Sequence, residues 1–436
     1  MSAPRHRPRG LLPFYLPLVA TSQMMTLSNP LLNLHLSRAE DPSLPLAAYS
    51  VAFGLSVVLN APLLTLPNVG AGLLENERAW DRMRTVALLL ASVVFVADCI
   101  LGLTPLGHWA FRTLLGTTAR VAAQAQATMI CVAPIPLFLA WRGLRTALVL
   151  RARKTQILTQ STFVRLLFLG LALLAARLRA EPVAADAGLA LSLGICAETL
   201  WLHRQTRSHR SRIPTTGPLL DTRHFGAFAI PLVVSGWAWT AQRPIISAIL
   251  GRSPDGEAAQ AAFGVLHPLL LLVASALWAL QATGQIHGRE RAEARRFVAF
   301  AVRAILLAAG VIGALGWIPP ARNFLIGDVF PVAEDLGEYL VPGLRLLFLP
   351  ALFLGIRTTA KGLILASRST RVILPASAGY LALLGILGVW VVRSQPAVNG
   401  GVLAVALIAV VEMTEAAVLC TAAWRRWLRL PEQAES

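Results

Sequence analysis

The sequence predicts an all-α polytopic membrane protein of twelve transmembrane helices, arranged as two parallel six-helix repeats. Three observations carry that prediction. Hydrophobic residues make up 56% of the 436 residues and charged residues only 14%, against about 25% charged in a soluble domain. Apolar stretches of about twenty residues, the length that crosses a bilayer core, recur along the whole chain. A segment near the start also returns without a gap past the middle: Pro17 to Arg38 and Pro231 to Arg252 share Pro17/Pro231, Leu18/Leu232, Val19/Val233, Thr26/Thr240, Pro30/Pro244, Leu36/Leu250 and Arg38/Arg252 at a constant offset of 214. An interior proline costs an ordinary helix about 3 kcal/mol, so a matched one marks a duplicated helix with a built-in break.

The first span, 11–36, follows RHRPRG and imitates a signal peptide, but no small-residue cleavage site follows, so it is read as an uncleaved helix. The second, 44–74, contains Pro62 and Pro67. The third to sixth cover 81–104, 120–150, 155–177 and 183–203; the fourth is long enough to require a tilt or kink. The seventh and eighth, 222–250 and 260–286, open the second copy, and 296–318, 336–362, 370–392 and 398–424 complete it. The fourth and tenth spans repeat at offset 215 through Phe138/Phe353, Leu139/Leu354, Arg142/Arg357, Leu148/Leu363, Leu150/Leu365, Arg153/Arg368 and Thr155/Thr370. The domains are therefore a six-helix lobe 1–203, a basic linker 204–221 with Pro214, Gly217 and Pro218, and a six-helix lobe 222–436. With an even number of spans per half, the copies share one orientation, and the cleft between them is the expected substrate position.

The net charge of +17 would suggest nucleic acid in a soluble protein. Here the arginines fill alternate loops: Arg5 to Arg9, Arg78 to Arg84, Arg142 to Lys154, Arg204 to Arg223, Arg289 to Arg303, Arg357 to Arg371 and Arg425 to Arg429. That is the positive-inside pattern of a multi-pass protein of the inner (cytoplasmic) membrane with both termini in the cytoplasm, and it makes lipid headgroups, not nucleic acid, the partner of the basic tract His203 to Arg212. The four cysteines fall singly inside spans, without metal or disulfide spacing. No P-loop, nucleophile elbow or HExxH motif occurs, so neither enzyme chemistry nor a cofactor is expected.

Leu46-Ala47, Tyr49, Ala52, Leu55, Pro62 and Asn68-Val69-Gly70 on the second span resemble the second helix of the progressive ankylosis protein family, a branch of the multidrug/oligosaccharide-lipid/polysaccharide flippase superfamily. Leu32-Asn33, Arg243-Pro244-Ile245 with Arg252, the stretch around Val341-Pro342, Arg345, Phe348, Pro350, Arg357 and Gly362, and Glu415 after Gly400 are similar too. The resemblance implies a V-shaped, two-lobed, alternating-access transporter exporting organic or phosphate-bearing anions such as citrate, ATP or pyrophosphate. The chain departs from the family where relatives are charged, with Val57, Thr65, Pro67, Thr240, Gln281 and Thr283.

The residues themselves nominate the site. Arg243 lies inside the seventh span, where the first copy has Asn29. A charge at depth costs at least about 2.5 kcal/mol and faces a cavity or a partner. Its guanidinium can clamp a carboxylate or phosphate; the bland reading is an ion pair with Glu412 or Glu415, or snorkelling outward. Arg345 is a second clamp by position, and Arg357 with Lys361 share one face of the tenth span. Asn33 and Asn68, with Asn29 and Gln242, supply polar contacts. Glu412 and Glu415, three apart on the last span, could bind a proton or sodium ion for coupling, or balance nearby arginines. The competing expectation is a proton- or sodium-coupled multidrug exporter or lipid-linked saccharide flippase of the same superfamily, in which these glutamates dominate. A non-transporting scaffold or a lipid-precursor enzyme comes third.

Overall fold

The computed structural model describes residues 10–178, 181–210, 213–217, 221–329 and 334–427. Of the residues singled out above, Arg5 to Arg9, Arg212, Pro218 and Arg429 lie outside the described residues. Twelve long helical elements run through the rest. They are α1 (Leu11–Leu36), α2 (Ser43–Leu64 continuing as Leu66–Leu73), α3 (Glu77–Leu103), α4 (Ala119–Val132 and Ile135–Arg151), α5 (Gln156–Ala176) and α6 (Ala184–Arg210). The second series is α7 (Thr222–Leu250), α8 (Gly256–His287), α9 (Arg291–Trp317), α10 (Glu334–Leu346 and Phe348–Ala366), α11 (Ile373–Ser394) and α12 (Gly400–Trp427). Among the described residues nine are long and apolar enough to cross a membrane, and α4, bent by 41° at Ala133–Pro134, makes a tenth. The two that fall short are α1 and α7, the repeat-related helices that carry the prolines and amides.

The breaks follow from proline. In α2 the ring of Pro62 removes a ladder hydrogen bond, and Thr65 caps the step by donating its hydroxyl to the Pro62 carbonyl at 2.7 Å. In α4 the break at Pro134 starts a new helix with Pro136 in its first turn, where a missing N–H is harmless. In α10 the break at Leu347 lies between Pro342 and Pro350.

The chain folds into two compact units, residues 20–226 and residues 1–19 with 227–436. The start of α1 thus packs with the second unit: Tyr15 donates its hydroxyl to the Ala276 carbonyl at 3.0 Å and sets its ring edge-on to Phe300 at 5.1 Å. In the first unit α6 is the central helix, packed on α2, α4 and α5. It continues past residue 203 to Arg210, so the basic tract begins as helix. In the second unit α10 and α12 take the central places, with α8 and α9 against α10. Gly362 of α10 meets Gly284 of α8 so closely that a Cβ on Gly362 would stand 2.8 Å from the Gln281 carbonyl. Gly355 likewise admits Ile305 of α9, at 2.5 Å from its would-be Cβ. These small residues let α10 seat deeply, and its inward face carries Arg357 and Lys361.

Candidate functional site

Burying a charge in apolar surroundings requires partners, and in the second unit the partners are found within the same four helices. Arg357 is 5% exposed, Glu412 2%, Glu415 3% and Lys361 8%. Arg357 Nε stands 2.7 Å from Glu412 Oε2, and Arg357 Nη1 stands 3.2 Å from Glu415 Oε2. Ser377 of α11 donates to Glu415 Oε1 at 3.0 Å, and Lys361 Nζ donates to Ser235 Oγ of α7 at 2.6 Å. Tyr380, buried beside them on α11, keeps its hydroxyl without an acceptor among the described residues. Two cations therefore face two carboxylates in a net-neutral cluster.

The two carboxylates are held differently. Glu415 accepts aligned hydrogen bonds from Arg357 and Ser377. Glu412 is held through Oε2 by Arg357 Nε, at 2.7 Å. Glu415 has Ser377 as a second partner, whereas Arg357 is the one side chain paired with Glu412 among the described residues.

The first unit repeats the motif with a different charge balance. Arg142 Nη1 lies 3.3 Å from Glu198 Oε1, Arg165 Nη1 3.8 Å from Glu198 Oε2, and Thr162 donates to Glu198 Oε1 at 3.4 Å. At offset 215 Arg142 corresponds to Arg357, Thr162 to Ser377 and Arg165 to Tyr380; at offset 214 Thr21 corresponds to Ser235. By its contacts Glu198 is the counterpart of Glu415. The lysine is an addition, since offset 215 places Thr146 opposite Lys361. One carboxylate here serves two guanidiniums, leaving one excess positive charge.

The structure thus unites four of the residues nominated from sequence, Arg357, Lys361, Glu412 and Glu415, and puts the glutamates on Arg357 instead of on Arg243. Arg243 is exposed on α7, in no ion pair among the described residues. Gln242, next to it, is buried, with no acceptor for its Nε2 among the described residues. Arg345 is exposed, its guanidinium 5.5 Å from the ring of Trp317, which in turn donates to the Arg345 carbonyl at 2.9 Å. Asn29 and Asn33 are exposed on α1, and Asn68 is half-buried in the short second segment of α2. Sequence reasoning did not find Ser235, Ser377, Tyr380 or Arg165 as members of the clusters. Carrying the 215 offset past Thr155/Thr370 would have paired Thr162 with Ser377 and Arg165 with Tyr380.

The MATE multidrug transporter DinF-BH, solved in complex with the dye rhodamine 6G, superposes with a TM-score of 0.80 at 16% identity over 97% of each chain. The fold is that of the MATE transporters. The eukaryotic MATE transporter AtDTX14 matches with a TM-score of 0.71 at 16% identity over 96% of both chains. A MOP superfamily transporter from Pyrococcus furiosus, described as having a binding pocket of reversed polarity, gives 0.70 at 13% identity over 98% of this chain and 100% of its own. No family model and no curated protein matches the chain. The MATE fold has twelve helices in two lobes, as the sequence predicted.

Proposed function

We propose that this chain is an alternating-access membrane exporter of small organic compounds, driven by proton or sodium exchange at the buried cluster of the second unit. The observation that carries the reading is the convergence of Arg357, Lys361, Glu412 and Glu415 into one neutral, desolvated cluster with Ser235 and Ser377. Such a cluster has two states of nearly balanced charge. With Glu412 ionised it pairs with Arg357. With Glu412 protonated, or sodium-bound, Arg357 is left to Glu415 alone, and α7, α10, α11 and α12 are joined by a different set of contacts. Glu412 is assigned this role because Arg357 is its one charge partner among the described residues, whereas Glu415 is also held by Ser377. The same-fold multidrug transporters support export of this kind, and the positive-inside pattern supports an inner-membrane protein with cytoplasmic ends.

The test uses proteoliposomes loaded with rhodamine 6G, the compound bound by DinF-BH, under an imposed proton or sodium gradient. Glu412→Gln is expected to reduce gradient-driven flux at least about tenfold while binding of the dye persists. Native flux in both Glu412→Gln and Glu415→Gln would overturn the reading.

A second reading, export of small organic or phosphate-bearing anions as the progressive ankylosis resemblance implies, is favoured by one observation. Arg243 is exposed on α7 without an ion pair among the described residues, a guanidinium open to a carboxylate or phosphate ligand. Under that reading citrate, ATP or pyrophosphate flux is present in the native protein and lost in Arg243→Ala, whereas dye flux is absent.

A further inference from the structure

The arginine-rich end of the first unit holds a group of cations that the coupling cluster does not use. Arg145, on the second segment of α4, is 2% exposed. Its guanidinium carbon lies 5.3 Å from the ring centre of Trp80 and 4.8 Å from that of Trp141. Arg210, at the end of α6, stands over the same Trp80 ring at 5.5 Å. Arg207, one turn earlier on that helix, is exposed. Arg145 Nε and Nη1, and the indole N–H of Trp80, find no hydrogen-bond acceptor among the described residues. No carboxylate pairs with Arg145, Arg207 or Arg210 there either, and Arg142, three residues before Arg145, is already taken by Glu198.

Aromatic faces stabilise a guanidinium electrostatically, but they offer no lone pair for its in-plane N–H groups. A buried donor left unmade is costly, and neighbouring like charges add to that cost. What satisfies all of it is an oxyanion, whose oxygens accept from several N–H groups while its charge offsets the arginines. The fold itself does not demand the arrangement. At offset 215 Trp141 and Arg145 become Ile356 and Ala360, which line an apolar groove in the second unit. Arg145 therefore belongs to one copy of the repeat, while the groove of the other holds its arginines elsewhere, with Arg295 in its lining and Arg291 over the Trp427 ring at 5.1 Å.

We propose that Arg145 and Arg210, framed by Trp80 and Trp141, form a binding site for a phosphate group, with Arg207 at its mouth. The phosphate belongs either to an anionic phospholipid headgroup or to a soluble phosphate compound.

Thermal melting of the full chain in detergent separates the sources. Inorganic phosphate is compared with chloride at equal ionic strength, and phosphatidylglycerol with phosphatidylcholine in mixed micelles. Saturation of one site is expected to raise Tm by roughly 3 °C. A rise with inorganic phosphate assigns a soluble ligand, and a rise with phosphatidylglycerol alone assigns the lipid. Arg145→Met and Arg210→Ala are each expected to abolish the rise, and Arg210→Ala, at a half-buried position, is expected to keep the starting Tm. No rise with either probe, or an undiminished rise in either variant, overturns the proposal. Both results are independent of flux through the coupling cluster.

Discussion

Arg357→Met is expected to destabilise the protein by about 3–5 kcal/mol, the effect of removing one partner from a buried ion pair. Two carboxylates, each under 4% exposed, would be left with Lys361 as the only cation of the cluster, and Lys361 is directed to Ser235. The melting temperature in detergent and the yield of monodisperse protein report the loss. The companion variant Arg357→Met/Glu412→Gln/Glu415→Gln removes the orphaned charges together with the cation. It is expected to recover most of the lost stability, since a neutral replacement of a buried pair costs far less than breaking it, and, under the proposed function, to show no gradient-driven flux. Equal destabilisation of the single and triple variants would show that Arg357 matters for its packing and not for its charge.

The second large effect is expected at the crossing of α8 and α10. Gly362→Val places new atoms against backbone on the facing helix: the would-be Cβ stands 2.8 Å from the Gln281 carbonyl and 3.1 Å from Gly284 Cα. Backbone cannot rotate away as a side chain can, so the helices must separate, at a cost of about 3 kcal/mol or more. Separation also draws Lys361 from Ser235 and Arg357 from its glutamates, so under the proposed function flux is expected to fall with stability. Gly310→Ala on α9 is the matched control. Nothing lies within 4 Å of its Cβ position, and relief of a helical glycine is expected to gain up to about 1 kcal/mol. Melting curves of the two variants, side by side, decide it.

The twelve helices were legible because a bilayer imposes a length and a polarity that any single sequence displays, and the duplication was legible because prolines mark helix breaks. The partner of Glu412 and Glu415 was not. Spans of 26 to 32 residues exceed the bilayer core, so the depth of Arg243 or Arg357 cannot be counted from the span's ends. Apolar residues also surround these helices almost evenly, as in α7, so no stripe reveals which face turns inward. Arg357 read as a loop-proximal residue, and only the seating of α10 on Gly355 and Gly362 takes it inside. Arg345 lies on the segment before the break at Leu347, exposed and 5.5 Å from the Trp317 ring.

The neutral cluster also constrains how the chain can be made. Helices leave the insertion machinery in order, and α10 arrives with Arg357 and Lys361 long before α12 brings Glu412 and Glu415. A lone charge at the centre of a helix costs about 2.5–3.5 kcal/mol to release into lipid, so α10 carries an unmatched burden through the synthesis of α11. Insertion of α10 is therefore expected to be less favourable before α12 is made than after it, by up to about that cost. Nascent chains ending before residue 400 are the species on which cellular quality control would act, and an acidic helix supplied in trans would be their rescue.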